Sequence, residues 1–197
     1  MPDELPELIV FDAIAWHEWL DEHHAAGAGD WLRLAKKGTT VPTSLTYDQA
    51  LDEALCSGWI DGQVRRADQV TFAQRFTPRR LRSVWSQRNT ALIERLTAQG
   101  RMRPAGLAQV ERAKADGRWA AAYAGSRTIE VPDDLATALA NDPAAAAMFA
   151  TLDRQDRYAV LLRLHSVKQA TTRAARIVRT VELLRRGEVP HPHRPTP

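Results

Sequence analysis

Arginine and tryptophan are concentrated in one stretch of the chain, residues 54–119, which holds its candidate binding chemistry. Within it, the run RFTPRRLRS contains four arginines and ends at Ser83, which is predicted to cap a helix. Guanidinium groups beside the free N–H groups of a helix start make a good site for phosphate or carboxylate. Trp85 and Ser86, in the predicted first turn, could add a stacking surface and a hydroxyl group. The same arginines could instead form a solvated loop that pairs with the acidic first third of the chain. They are Arg75, Arg79, Arg80 and Arg82.

A second cluster, KADGRW, closes this stretch at the predicted end of a helix. Lys114 and Arg118 could bind an anion there, although cations at a helix C-terminus also suit the helix dipole without any ligand. If the segment folds back on the first cluster, one pocket could gather side chains from both. These are Asp61, Arg75, Arg79, Trp85, Asn89, Lys114 and Trp119.

Asp61, in the motif WIDG, is a candidate catalytic carboxylate. It follows a tryptophan at a predicted helix-to-strand junction and precedes the run of arginines. A carboxylate there could act as a general acid or base, or it could orient an arginine. It could also be a turn aspartate that accepts hydrogen bonds from the local backbone. An enzyme that uses Asp61 as general acid or base is therefore one open function.

Other motifs in the sequence give weaker indications of a metal, thiol or cofactor site. His17, Asp21 and His24 are spaced for one helix face, but they do not form the H-E-x-x-H pattern and have no second ligand cluster. Cys56 lies among alanines and leucines and is expected to be a core residue. The sequence has no Walker loop, dinucleotide fingerprint or nucleophile elbow. We therefore predict no metal and no cofactor.

Charge is distributed unevenly along the chain, whose net charge is +3. Residues 1–59 carry a net charge of −8 and residues 60–118 a net charge of +8, followed by −3 over 119–152 and +5 over 153–188. The basic segments could bind an anionic partner, or they could neutralise the acidic ones within the fold. Nucleic-acid binding through the 60–118 surface is an alternative function, although no standard nucleic-acid motif is visible.

Composition is that of a water-soluble globular protein. The chain has 197 residues, of which 44% are hydrophobic, and this suffices for a packed core. A lone cysteine fits a reducing compartment, and neither a signal peptide nor a membrane-spanning run is evident. A cytoplasmic location is expected.

The elements that must position these residues form an α+β arrangement in the first part of the chain. Apolar spacing predicts a helix over 13–25 and a strand over 31–37. A short helix follows, for which Thr46 and Gln49 make a capping box. Two strands, WIDGQVRRA and QVTFAQRFTP, then meet at a tight turn. The expected unit is β-α-β-β with a small, mainly antiparallel sheet.

Helices follow this unit. One is predicted from Ser83 to Gln99, with Trp85 on its apolar face and Asn89 in the middle of that face. The next begins at Pro104. From Thr128 onward the pattern is all-helical, with prolines and aspartates at the expected helix starts. The predicted helix starts are Pro132, Pro143 and Asp153, and the last helix is predicted over 170–186.

Several of these motifs together resemble one family, the YdeI/OmpD-associated (OmdA) proteins, which are also called bacteriocin-protection proteins. The resemblance spans about residues 5–187 and rests on YDQALDEALCSGWIDGQ, RFTPRR, SVWSQRN, GRMRPAGLAQVERAKADGRW and TRAARI. It implies a role in stress or antimicrobial tolerance and implies no particular reaction. The positions that it marks for testing are Asp61, Arg75, Arg79, Arg80, Trp85, Ser86, Asn89, Lys114, Asp116, Arg118 and Trp119.

The sequence thus predicts an α+β domain over 1–125, a helical region over 126–187 and a disordered tail over 188–197. The predicted function is a cytoplasmic ligand-binding or accessory protein in stress or bacteriocin tolerance. Its site would be an Arg/Trp pocket for an anionic or aromatic small molecule, built from the marked positions other than Asp116.

Overall fold

The computed structural model describes residues 7–25, 28–167 and 169–190. The chain divides into two compact units, residues 1–122 and 123–197. The tail predicted to be disordered lies outside the described residues from 191 onward.

A four-stranded sheet forms the centre of the first unit. Its strands are β1 (Glu7–Leu8), β2 (Asp30–Ala35), β3 (Trp59–Arg66) and β4 (Thr71–Pro78), in the order β1-β2-β4-β3. β4 pairs antiparallel with both β2 and β3, while the short β1 runs parallel to β2. The prediction of a small, mainly antiparallel sheet is confirmed.

The hairpin between β3 and β4 is fixed by Asp68. Its Oδ1 accepts hydrogen bonds from the backbone N–H groups of Val70 and Thr71, at 2.9 and 2.7 Å. Aspartate favours such turns because its short side chain reaches the backbone two residues further on. β4 lies in the middle of the sheet because it pairs with β2 on its other side, and Ala73 and Phe76 in this strand are fully buried.

Two helices pack against this sheet and against each other. α1 (Ala13–His23) is capped by Asp12, and α2 (Tyr47–Cys56) begins with the predicted capping box at Thr46. The indole N–H of Trp16 in α1 donates to the carbonyl oxygen of Ala50 in α2 at 3.1 Å. This bond satisfies a polar group inside the core and fixes the two helices relative to each other.

Two more helices complete the first unit, α3 (Gln87–Ala98) and α4 (Pro104–Ala115). The prediction that Ser83 caps α3 is wrong. Ser86 is the cap, and its Oγ accepts from the backbone N–H of Asn89 at 3.1 Å. Residues 79–85 form a loop before the helix because their backbone groups are bound by other side chains, described below.

The second unit is helical in its described residues, as predicted. It contains α5 (Asp133–Ala140), α6 (Pro143–Thr151), α7 (Arg154–His165) and α8 (Ala170–Arg185). Pro132 precedes α5 and does not occupy its first position, whereas Pro143 does open α6. The core of the unit is aliphatic and aromatic, and among its most buried members are Leu135, Phe149, Leu161, Leu164 and Leu184. None of the described helices in either unit is long and apolar enough to cross a membrane.

Candidate functional site

Arg79 and Trp85 form the centre of the predicted Arg/Trp cluster. The guanidinium carbon of Arg79 lies 3.5 Å from the centre of the Trp85 ring, a cation–π contact. Both side chains are buried, with 5% and 2% of their surfaces exposed. The Trp85 ring also packs against Trp119, at 5.0 Å between ring centres. A ligand therefore finds little surface on Arg79 or Trp85 themselves.

This cluster fixes the loop from Arg80 to Val84 through hydrogen bonds to the loop backbone. Arg79 donates from Nη1 to the carbonyl oxygen of Val84 at 3.3 Å, and Arg118 donates from Nη1 to that of Ser83 at 2.8 Å. The Ser83 hydroxyl accepts from the backbone N–H of Arg80 at 3.1 Å. These bonds satisfy the loop backbone and restrict its conformation.

The outer side of this loop combines exposed apolar and cationic side chains. Leu81 and Val84 are 65% and 56% exposed, and Arg80 and Arg82 are exposed as well. Neither arginine has a carboxylate within ion-pair distance among the described residues. We call Arg80, Leu81, Arg82 and Val84 the loop surface.

The KADGRW cluster supports the loop from the other side. Arg118 is 12% exposed and pairs with Asp116, at 2.8 Å from Nη2 to Oδ2. Lys114 pairs with Glu111 on the same helix at 3.2 Å and lies 5.8 Å from the Trp119 ring centre. The structure thus brings the two predicted clusters together through Trp85, Trp119 and Arg118.

Three predicted site residues have other surroundings. Arg75 donates from Nη2 to the carbonyl oxygen of Ala28 at 3.2 Å, and its buried Nε has no hydrogen-bond partner within the described part of the chain. Ser86 caps α3, and Asn89 is buried in the first turn of that helix. Whether any of these residues contacts a ligand stays a prediction.

Asp61 belongs to a separate polar group with Tyr47 and Arg88. The Tyr47 hydroxyl donates to Asp61 Oδ2 at 2.8 Å and accepts from Arg88 Nη1 at 3.0 Å. Burial, together with the hydrogen bond to Asp61 and the charge of this carboxylate, raises the pKa of Tyr47 to about 12. Tyr47 is neutral at physiological pH and serves as a donor that fixes the Asp61 carboxylate.

A cavity of about 690 Å³ lies at another place in the first unit, and the sequence analysis missed it. Its charged lining is an ion-pair network in which Glu53 is central. Glu53 accepts from Arg101 at 2.6 Å and from Arg103 at 3.1 Å, and its Oε2 lies 2.9 Å from Nδ1 of His17. Arg103 also bonds to Asp21 at 3.2 Å. Because these charges already satisfy one another, the network stabilises the packing of α1, α2 and the start of α4.

The network could have been recognised in part from the sequence. Asp52 and Glu53 are adjacent acids on α2, and GRMR supplies Arg101 and Arg103 just before α4, but nothing in the spacing shows that the two meet. His17 and Asp21 take part in it. No group of three or more potential metal ligands with suitable geometry occurs among the described residues.

Comparison with known families gives two matches on different parts of the chain. A family model described as "Domain of unknown function (DUF8412)" matches residues 8–109. A second, described as "Bacteriocin-protection, YdeI or OmpD-Associated", matches residues 128–187. The predicted relationship to the OmdA family is confirmed over residues 128–187, which include TRAARI. The predicted span of about 5–187 is longer than this match, and WIDG and FTPRR fall within the first match. No curated protein and no solved structure matches the chain.

Proposed function

We propose a ligand-binding function for this chain, which belongs to the family described as "Domain of unknown function (DUF8412)" and matches the bacteriocin-protection (OmdA) family over residues 128–187. The protein would be a cytoplasmic accessory protein of stress or bacteriocin tolerance. Its ligand would be an anionic small molecule with an aromatic or other apolar part, and the loop surface would bind it.

The observation that carries this proposal is the way in which the loop is held. Two largely buried arginines, Arg79 and Arg118, donate to successive carbonyl oxygens of Val84 and Ser83. A buried cation needs strong compensation, which here comes from the Trp85 ring, the Asp116 carboxylate and these carbonyl groups. The fold thus fixes a loop whose outer side chains are exposed, and a fixed loop loses less conformational entropy on binding.

The chemistry of the exposed side chains indicates the ligand class. Arg80 and Arg82 carry guanidinium groups that match a carboxylate, sulfonate or phosphate. Leu81 and Val84 present apolar surface that gains free energy when an apolar group covers it. An anionic ligand with an aromatic part satisfies both kinds of side chain at once.

Localisation in the cytoplasm is proposed on the single cysteine, Cys56, which is buried and free. The link to bacteriocin tolerance rests on the family match alone.

Nucleic-acid binding by the 60–118 surface and catalysis by Asp61 stay open predictions. No particular contact favours either of them. Much of the positive charge in this segment is already paired with carboxylates, which leaves less of it for phosphate groups. The paired arginines include Arg65, Arg88, Arg95, Arg101, Arg103 and Arg118.

The proposal can be tested with 1-anilinonaphthalene-8-sulfonate, an anionic aromatic probe whose fluorescence rises on apolar contact. The double variant R80Q/R82Q should weaken binding by about tenfold or more, because it removes two charge-assisted contacts. The control K37Q/R112Q makes the same change of charge at two exposed cations of the same unit. Equal affinity of R80Q/R82Q and the control would overturn the proposal.

A further inference from the structure

The second unit contains a cavity of about 440 Å³ between α7 and α8 whose lining is cationic. Arg163 comes from the last turn of α7, and Arg176 and Arg179 lie one turn apart on α8. Arg176 donates from Nη1 to the carbonyl oxygen of Arg163 at 2.9 Å, which ties the two helices together at this point. Three arginines from two elements therefore line one concave site.

The charge of this cavity is not neutralised by the protein within the described residues. Other arginines of α8 have carboxylate partners. Arg173 pairs with Asp134 at 2.5 Å and Arg185 with Asp142 at 3.9 Å. By contrast, no described carboxylate lines the cavity or lies within ion-pair distance of its three arginines. Like charges gathered without counterions repel one another, so this arrangement gains free energy when an anion enters.

The remaining lining is mixed. Thr180, one residue beyond Arg179, is a buried polar residue of the lining. Leu183 and Pro190 give an apolar wall. The volume exceeds that of an inorganic anion and leaves room for a carbon skeleton.

We propose that this cavity binds the phosphoryl group of a small phosphorylated molecule. A phosphoryl group carries up to two negative charges on three terminal oxygens, and three guanidinium groups from separate positions can surround it. The carbon part of the molecule contacts Leu183 and Pro190. This site is separate from the loop surface of the first unit and does not depend on the function proposed for it.

Calorimetric titration of the full chain with inorganic phosphate and with phenyl phosphate tests this site. Both probes should bind, phenyl phosphate should bind more tightly because of its ring, and both affinities should fall as salt is raised. R179Q should weaken the binding of phenyl phosphate by about tenfold or more, through loss of a charge-assisted hydrogen bond. R163Q should have a similar effect.

The matched control is R154Q, which removes an exposed arginine from the first turn of α7, outside the cavity. It should leave phosphate binding unchanged. All of these titrations are made in the R80Q/R82Q background, so that the loop surface of the first unit does not contribute to the binding that is measured. Absence of binding to the R80Q/R82Q chain, or equal loss in R154Q and R179Q, would overturn the proposal. Tighter binding of benzoate than of phenyl phosphate would overturn the choice of a phosphoryl ligand. Circular dichroism of each variant checks that the helices are intact.

Discussion

The guanidinium group of Arg79 covers the ring of Trp85 at 3.5 Å, and both side chains lie inside the first unit. Sequence reasoning expects such a pair to meet a ligand. In the fold, the pair instead supports the loop from Arg80 to Val84 from within. The residues that face solvent are those of the loop surface. Their positions depend on the buried Arg79–Trp85 pair that holds the loop.

Replacing Arg79 by methionine should lower the free energy of unfolding by about 2–3 kcal/mol, since the variant loses a buried cation–π contact and the hydrogen bond to Val84. The same change at exposed Arg80 should alter stability by no more than about 0.5 kcal/mol. Urea denaturation of both variants provides the comparison. Equal free energies of unfolding for the two variants would show that the contact between Arg79 and Trp85 does not stabilise the fold.

The ion-pair network around Glu53 should show energetic coupling. Arg103 and Glu53 are 15% and 12% exposed and lie 3.1 Å apart. R103M should destabilise the protein by about 2 kcal/mol, and a double-mutant cycle with E53Q should give a coupling of about 1 kcal/mol. K114M, which breaks only the exposed pair with Glu111, should cost about 0.5 kcal/mol or less. Strict additivity of R103M and E53Q would contradict the coupling.

Tyr47 should titrate well above an ordinary tyrosine. Burial and Asp61 raise its pKa to about 12, so the folded state favours the neutral phenol. The stability that this group contributes is complete below about pH 10 and is lost as the pH rises from 10 towards 12. Carbon-13 NMR of labelled tyrosine, assigned with Y47F, measures this pKa.

The variant D61N should lower the pKa of Tyr47, because it removes the negative charge beside the phenol. The pKa should still exceed the ordinary value, since the largest cause, burial, is unchanged. Titration of Tyr47 near pH 10 in the unaltered chain would show that this hydroxyl group is not held as described.

Gly106 is predicted to tolerate no side chain. A Cβ atom at this position would lie 2.2 Å from the carbonyl oxygen of Cys56, so α4 and the end of α2 would have to separate. G106A should therefore cost about 1–3 kcal/mol of stability. G125A, where nothing lies within 4 Å of the added atom, should change stability by about 0.5 kcal/mol or less. Equal melting temperatures for the two variants would refute the close contact.

Much of the fold could be predicted because its signals are local. The capping box at Thr46 and the turn at Asp68 each involve neighbours in sequence, and apolar periodicity identified the helices. The sequence predicts the cap of α3 three residues too early, at Ser83 instead of Ser86. Ser83 and Ser86 are both suitable caps, and the choice between them is made by Arg118, which binds the Ser83 carbonyl group from 35 positions away.

The site is less predictable than the fold because its contacts join residues that are far apart in sequence. Sequence indicated that the Arg/Trp residues belong together, and Trp85 and Trp119 do meet. It could not show which of them would be buried, since burial depends on packing between distant segments. The network at Glu53 joins residues from three separate segments and was missed entirely. The cationic cavity at Arg163 likewise needs α7 and α8 to pack side by side.

The loop surface is proposed to bind an anionic ligand with an apolar part. The most direct test of this proposal is an NMR titration of the nitrogen-15-labelled full chain with 1-anilinonaphthalene-8-sulfonate. The largest shifts should occur at the backbone amides of residues 80–84; R80Q/R82Q should abolish them, and K37Q/R112Q should leave them in place. Shifts elsewhere with none at residues 80–84, or shifts at the loop that persist in R80Q/R82Q, would contradict it.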